Sequence, residues 1–150
     1  MAKTIYTPSY FIINRWFVLG REELKYKYES IIGESPSLVA CLKEADKAVD
    51  SDLPVLIVGE SGAGKELIAK AIWQNSSRKS GRFVSKNCAA ISEGLLEKEL
   101  FGYFSGERQN YQKGLMEMAD KAILFLDEVS ELSLNLQREL VRALECGSYL

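Results

Sequence analysis

Along the chain, apolar runs alternate with amphipathic stretches, and the two periodicities mark out its elements. After Ser35-Pro36, which supply an N-cap and a proline at the first helical position, Leu38, Leu42, Ala45 and Val49 recur on one helical face. Asp50-Ser51-Asp52 close that helix. Val55-Leu56-Ile57-Val58 is apolar without alternation, the mark of a parallel strand covered on both faces. KELIAKAIWQNS, from Lys65, predicts a helix burying Leu67, Ile68, Ala71 and Ile72. SSRKSG is a polar turn, RFVSKN a second strand, and SEGLLEKELFG a shorter helix. YFSGERQNYQK, residues 103–113, reads as a polar loop or arm. AILFLDE, residues 122–128, is a third strand carrying acids at its carboxyl end. LSLNLQRELVRALECG is a final helix with Leu136, Leu140, Val141 and Leu144 inward and Gly147 as its stop.

Strands alternating with helices imply an α/β fold with a parallel sheet. Residues 1–30 stand apart as a linker or flanking segment. They hold Tyr6, Tyr10, Phe11, Trp16, Phe17, Tyr26 and Tyr28, and end in REELKYKYES, where Glu23 and Lys27 have helical spacing. YFIINRWFVL within them suits a short extended segment or a hairpin. Residues 31–150 form one domain.

Composition narrows the chemistry mainly by exclusion. A chain of 150 residues with 47% hydrophobic and 27% charged positions can bury a proper core, and its net charge of −2 advertises neither nucleic acid nor an anionic membrane. Cys41, Cys88 and Cys146 are widely spaced and histidine is absent, which removes a disulfide scaffold, the common zinc sites and Ser-His-Asp catalysis. Arg15 interrupts the apolar start, which is too short for a membrane span and lacks a cleavage site. These features point to a cytoplasmic protein with no membrane association.

VGESGAGKE, residues 58–66, directly follows the first strand and opens a helix. In that setting the backbone of Gly59, Glu60, Ser61, Gly62, Ala63 and Gly64 can cradle phosphates. Lys65 can reach the β- and γ-phosphates, and Glu66 and Leu67 start the helix whose dipole favours the anion. The alternative is a glycine-rich turn that binds nothing. AILFLDE brings Asp127 and Glu128 to the carboxyl edge of the sheet, where ligands bind in open α/β folds. Asp127 could hold magnesium, usually through water, and Glu128 could orient or deprotonate an attacking water. A solvated acid pair starting a turn is the alternative there.

The stretch from Ile31 to Cys146 resembles the AAA+ ATPase module of bacterial enhancer-binding regulators, the NtrC-like proteins that act with sigma-54 RNA polymerase. The resemblance rests on IIGESPSL, VLIVGESGAGKELIAKAIW, FVSKNCAAISEGLLEKELFG, KGLMEMADKAILFLDEVSEL and LQRELVRALE, in family order and nearly family spacing. Family loops end Gly-Lys-Glu, so Glu66 marks this lineage where P-loop kinases carry Ser or Thr. The resemblance implies a P-loop NTPase fold, with ATP and Mg2+ as ligands. It further implies that Ile31, Ile32 and Gly33 pack on adenine, and that Asn87 is a switch residue holding Glu128 until γ-phosphate is sensed. Strand-end turn chemistry for Asn87 and core packing for Ile31 and Ile32 are the alternatives. Intact relatives hydrolyse ATP in a hexameric ring to remodel promoter-bound polymerase.

The sequence departs from the family in two places. YFSGERQNYQKG replaces the longer family segment bearing the GAFTGA motif; only Gly106 is suggestive and the aromatic-threonine tip is missing, which argues against sigma-54 contact. The 150 residues also cover only strands 1–3 of the core, without sensor I, the arginine fingers, the lid or a DNA-binding domain. Strand 4, which lies between strands 1 and 3 in the family, is among the missing parts, and the N-terminal segment is not expected to replace it. The expectation is therefore weak Mg-ATP binding with negligible hydrolysis, self-association or pairing with related AAA+ subunits, and no direct DNA contact. A non-catalytic interaction fragment, or a regulator that uses ATP only to oligomerise, are the competing readings.

Overall fold

The computed structural model describes residues 3–6, 21–105, 110–119 and 121–146. The chain divides into two compact units, Met1–Lys79 and Ser80–Leu150.

The first unit contains strand β1 (Lys3–Tyr6), a 3-10 turn (Arg21–Glu23), helix α1 (Pro36–Val49), strand β2 (Val55–Val58) and helix α2 (Lys65–Asn75). Helix α1 starts as its sequence requires: the Leu38 N–H donates to Ser35 Oγ at 3.3 Å, and Pro36 occupies a position that needs no N–H donor. Its inward face, Cys41, Leu42, Ala45 and Val49, packs with Ile68, Ala71 and Ile72 of α2 and with Tyr28 and Ile31. Removing these side chains from water is what holds the unit together.

Four expectations are corrected in this unit. The first residues of the chain do not stand apart: β1 pairs in parallel with β2, from Lys3↔Val55 to Tyr6↔Val58. A strand edge carries backbone donors and acceptors that need partners, and β1 supplies them. REELKYKYES is not a helix beyond Arg21–Glu23; Glu23 pairs with Lys43, and Lys25 with Asp50 at 2.7 Å. Finally, β2 is not covered on both faces, since Leu56 is 42% and Val58 40% exposed, and Leu67 is 50% exposed rather than buried. Residues 10–19, read as an extended segment or hairpin, lie outside the described residues.

The second unit runs through β3 (Phe83–Asn87), α3 (Glu93–Phe101), β4 (Gly102–Ser105), β5 (Asn110–Lys113), α4 (Leu115–Met118), β6 (Ile123–Asp127) and α5 (Leu134–Cys146). Strands β3 and β6 are parallel, from Phe83↔Ile123 to Asn87↔Asp127, and the Phe83 and Phe125 rings stack with centroids 6.1 Å apart. The core is Cys88, Leu96, Leu100, Leu132, Leu136 and Leu140.

The segment expected to be a polar loop or arm is an antiparallel hairpin, β4 against β5. Its base admits no side chain at two positions. A Cβ on Gly102, whose φ is +87°, would lie 2.6 Å from the Gln112 carbonyl oxygen, and one on Gly114 would lie 2.3 Å from that of Leu100. Phe104 and Tyr103 are exposed on this hairpin, Phe104 against the Tyr111 ring at 5.2 Å. Val141 and Leu144, expected inward, are exposed on α5. Gly106 and Gly147 lie outside the described residues. Among the described residues, no helix is long and apolar enough to cross a membrane.

Candidate functional site

In the first unit the loop from Gly59 to Glu66 follows β2 and turns into α2. Its Ala63 N–H donates to the Glu60 carbonyl at 3.2 Å, and Gly62 and Gly64 adopt left-handed φ values of +76° and +82°. A Cβ at Gly62 would meet nothing within 4 Å, and at Gly64 only Leu67 Cδ1 at 3.8 Å. The need for glycine at these two places is therefore conformational rather than a matter of space. Gly64 is also the N-cap of α2 and offers no side-chain acceptor, so the helix begins with backbone N–H groups directed to whatever anion arrives. Ser61, Gly62 and Ala63 are exposed. Lys65 Nζ donates to the carbonyl oxygens of Gly59 at 3.1 Å and Glu60 at 2.9 Å, folded over the loop it belongs to. Glu66 pairs with Lys70 at 2.8 Å, one turn along the helix, and sits in the first turn where a negative charge is favourable.

Ile31, Ile32 and Gly33 belong to the same unit. Ile31 is buried against Ile68 and Ile72 of α2, and its N–H donates to the Tyr28 carbonyl at 3.1 Å. Ile32 is 96% exposed and Gly33 has φ +138°; a Cβ on Gly33 would lie 2.8 Å from Leu38 Cδ2. One isoleucine thus anchors the segment while the next presents bare apolar surface beside the helix that carries the glycine loop.

Sequence reasoning missed what holds this segment down. Asp46 is buried and accepts hydrogen bonds from the Lys25 N–H at 2.7 Å, the Tyr26 N–H at 3.3 Å and the Tyr28 hydroxyl at 2.8 Å. One turn further, Asp50 accepts from Lys25 Nζ at 2.7 Å and from the Tyr26 hydroxyl at 2.7 Å. Burial, with the Asp46 carboxylate beside it, pushes the Tyr28 phenol well above its ordinary range. The signal was present: Asp46 falls among Leu42, Ala45 and Val49 on the inward face of α1, where an acid requires partners.

In the second unit, the register of β3 and β6 puts Asn87 beside Asp127. Asp127 is half-buried; its Oδ1 accepts the Glu128 N–H at 3.0 Å, and its carbonyl accepts the Cys88 N–H at 3.0 Å. Glu128 is exposed and takes a left-handed conformation, φ +53°, which a non-glycine residue adopts at some cost. Asn87 Oδ1 accepts the Ala89 N–H at 2.8 Å, an Asx turn that shapes the strand end. Burial raises the Cys88 thiol pKa, assisted by the Asp127 and Glu128 charges, so this cysteine is inert rather than nucleophilic.

Among the described residues, no cluster of three or more His, Cys, Asp or Glu could cage a metal ion. Magnesium bound with a triphosphate needs no cage. It takes one or two carboxylates and completes its shell with phosphate and water, and a half-buried carboxylate at a strand end fits that donor set.

Residues 31–150 match the family described as the sigma-54 interaction domain. The anaerobic nitric oxide reductase transcription regulator NorR of Aeromonas salmonicida is 49% identical over 121 residues, 78% of this chain and 24% of that protein. A signal-transduction and transcriptional-control protein of Clostridium beijerinckii is 43% identical over 143 residues, 92% of this chain and 22% of that protein. Among solved structures, NtrX from Brucella abortus superposes with a TM-score of 0.66 at 35% identity, covering 75% of this chain and 26% of that one. The same protein in complex with ATP gives a TM-score of 0.63 at 34% identity, with the same coverage. The chain spans about a quarter of the length of these relatives.

Proposed function

The chain belongs to the sigma-54 interaction domain family, the AAA+ module of NorR- and NtrX-like regulators, and from that premise we propose that it binds Mg-ATP through the Gly59–Glu66 loop. The observation that carries this reading is the loop itself. Its glycines take left-handed conformations that cost them nothing sterically, its helix lacks a side-chain cap, and its lysine rests on the carbonyls of residues 59 and 60. The ATP complex of Brucella abortus NtrX supports it by relation.

In this reading Lys65 leaves the loop carbonyls for the β- and γ-phosphates, while the N–H groups of residues 60–66 take up the remaining oxygens. Ile31, Ile32 and Gly33 receive the adenine. Asp127 would hold magnesium, which would supply charge neutralisation for the triphosphate. Glu128 orients the attacking water, and Asn87 restrains Glu128 until the γ-phosphate is present. The setting is cytoplasmic, and the ligands are ATP and ADP. Full-length relatives would use the cycle to remodel promoter-bound polymerase. The 150-residue chain assayed by itself is expected to bind ATP weakly and to turn it over negligibly.

Titration with a fluorescent ATP analogue, paired with a phosphate-release assay, tests this. Lys65→Ala should weaken binding at least about tenfold, the effect of losing one charge-assisted contact. Binding indifferent to that substitution would sink the site assignment, and robust turnover by the chain alone would sink the expectation of negligible hydrolysis. The segment 103–113, shorter than the family's and paired as a hairpin at Gly102–Ser105 and Asn110–Lys113, favours a second reading for partners, a regulator that assembles with related subunits but does not touch sigma-54.

A further inference from the structure

Ahead of Ile31–Gly33 come four consecutive residues, Lys25 to Tyr28, each tied to a helix. The Lys25 N–H donates to Asp46 Oδ2 at 2.7 Å, and the Tyr26 N–H and Tyr28 hydroxyl donate to Asp46 Oδ1 at 3.3 and 2.8 Å. Lys27 is held by the other helix: its carbonyl accepts from Asn75 Nδ2 at 3.0 Å, and the same nitrogen donates to the Ala71 carbonyl at 2.9 Å. An amide nitrogen carries two hydrogens, so both bonds are made at once. Asp46 belongs to α1 and Asn75 is the last residue of α2, so residues 25–28 bridge the two helices. The Ile31 N–H then donates to the Tyr28 carbonyl at 3.1 Å, which leaves one turn of chain between this bridge and Ile31. Beyond it, Ile32 is bare. Helix α2 has 11 residues and a length of about 16 Å. The glycine loop opens one end of it, and the tie to Lys27 is at the other.

We propose that Asp46 and Asn75 are positioning residues for the nucleotide base: through residues 25–28 they fix where Ile31–Gly33 stand relative to α2, and with that the spacing between base and phosphates. The inference rests on the nucleotide-binding reading and adds to it two residues that touch no part of the ligand. A segment free to shift presents Ile32 in the receiving place only part of the time, and the apparent affinity for a base falls by that fraction. The phosphate loop is built from its own contacts, with Lys65 on the carbonyls of residues 59 and 60, and neither Asp46 nor Asn75 takes part in them. Losing a tie therefore weakens the hold on the base and spares the hold on the phosphates.

The experiment titrates the whole 150-residue chain with Mg-ATP and with inorganic tripolyphosphate, by calorimetry, for wild type, Asn75→Ala, Asp46→Asn and Lys65→Ala. Asn75→Ala removes the tie to Lys27 at a helix end. Asp46→Asn keeps one acceptor oxygen and turns the other into a donor. Thermal melts establish that each variant is folded, and Asn75→Ala decides alone if Asp46→Asn is not. The expected result is a loss of about fivefold in ATP affinity for Asn75→Ala and about tenfold for Asp46→Asn, the scale of one hydrogen bond, with tripolyphosphate affinity unchanged. Lys65→Ala should weaken both ligands together. A variant that binds ATP like wild type, while Lys65→Ala does not, removes that residue from base positioning and leaves the phosphate site standing. Parallel losses for ATP and tripolyphosphate would also overturn the proposal, by showing that the residue acts through the fold as a whole. If neither ligand binds wild type, the nucleotide reading itself falls and this inference with it.

Discussion

Two parallel strand pairs end in candidate chemistry, and they solve the same backbone problem differently. After β2 the chain must turn back into α2, and the left-handed positions of that turn are glycines, Gly62 and Gly64. After β6 it must turn as well, and the left-handed position there is Glu128, a residue with a Cβ. A glycine takes such a φ at no steric cost; another residue gives up about 1–2 kcal/mol. The first junction is thus relaxed, and in the same unit Asp46 and Asp50 of α1 hold down the segment that follows Arg21. The second stores strain at the residue proposed to handle water. At the proposed phosphate loop the left-handed positions are glycines, and at the proposed water-handling acid a side chain is kept despite an unfavourable φ.

The hold of Asp46 on residues 25–28 is the part of the first unit most easily broken. Asp46→Ala leaves the N–H groups of residues 25 and 26 and the Tyr28 hydroxyl without their acceptor, at a cost of about 3 kcal/mol summed over three lost bonds. Urea denaturation should show it, and a change below about 1 kcal/mol would mean that the clamp is ornamental. Gly64→Ala comes next, at about 1–2 kcal/mol for a Cβ forced to positive φ, since the space around it is open. The same melts compared with Gly94→Ala, a glycine in α3 without positive φ, separate the conformational cost from the loss of glycine as such. The phenol of the clamp adds a pH dependence. Because the folded-state pKa of Tyr28 lies above its unfolded value near 10, its contribution is complete below pH 10 and is lost as pH rises beyond it. Wild type should therefore lose roughly 1.4 kcal/mol per pH unit just above that point from this group, and Tyr28→Phe should lose less. Equal alkaline slopes would remove Tyr28 from the account.

What could be read in the sequence follows the same division. The glycine loop, the acid pair, the strands β2, β3 and β6 and the helices α1, α2, α3 and α5 were legible because each is local: a residue type, a period or a cap marks it. Faces were harder. Leu136, Leu140 and Leu144 are spaced by four, and each such step advances about 40° around a helix, so the third has already rotated out of the core that buries the first two. Val141 and Leu67 are outward apolar residues of a kind that folded surfaces accept freely. The pairing of β1 with β2 joins residues 3–6 to residues 55–58, and no periodicity reports a partner that distant. Asp46 and Asn75 escaped for a related reason: their significance is the hydrogen bonds they make, and those appear only when the chain is folded.

The smallest effect is the most informative about the contrast between the junctions. Glu128→Gly removes a Cβ from a left-handed position and should stabilise the chain, by about 1 kcal/mol, whereas Glu128→Gln retains the same backbone demand and should leave stability within about 0.5 kcal/mol of wild type. A glycine gains freedom in the unfolded chain, which opposes the benefit, so the sign of the difference is the decisive reading. If Glu128→Gly melts above wild type and Glu128→Gln does not, the acid is held at a cost that the fold alone does not require, and a functional demand must account for it. If Glu128→Gly melts below both, the left-handed turn after β6 is comfortable for glutamate. The two junctions would then differ in sequence without differing in strain.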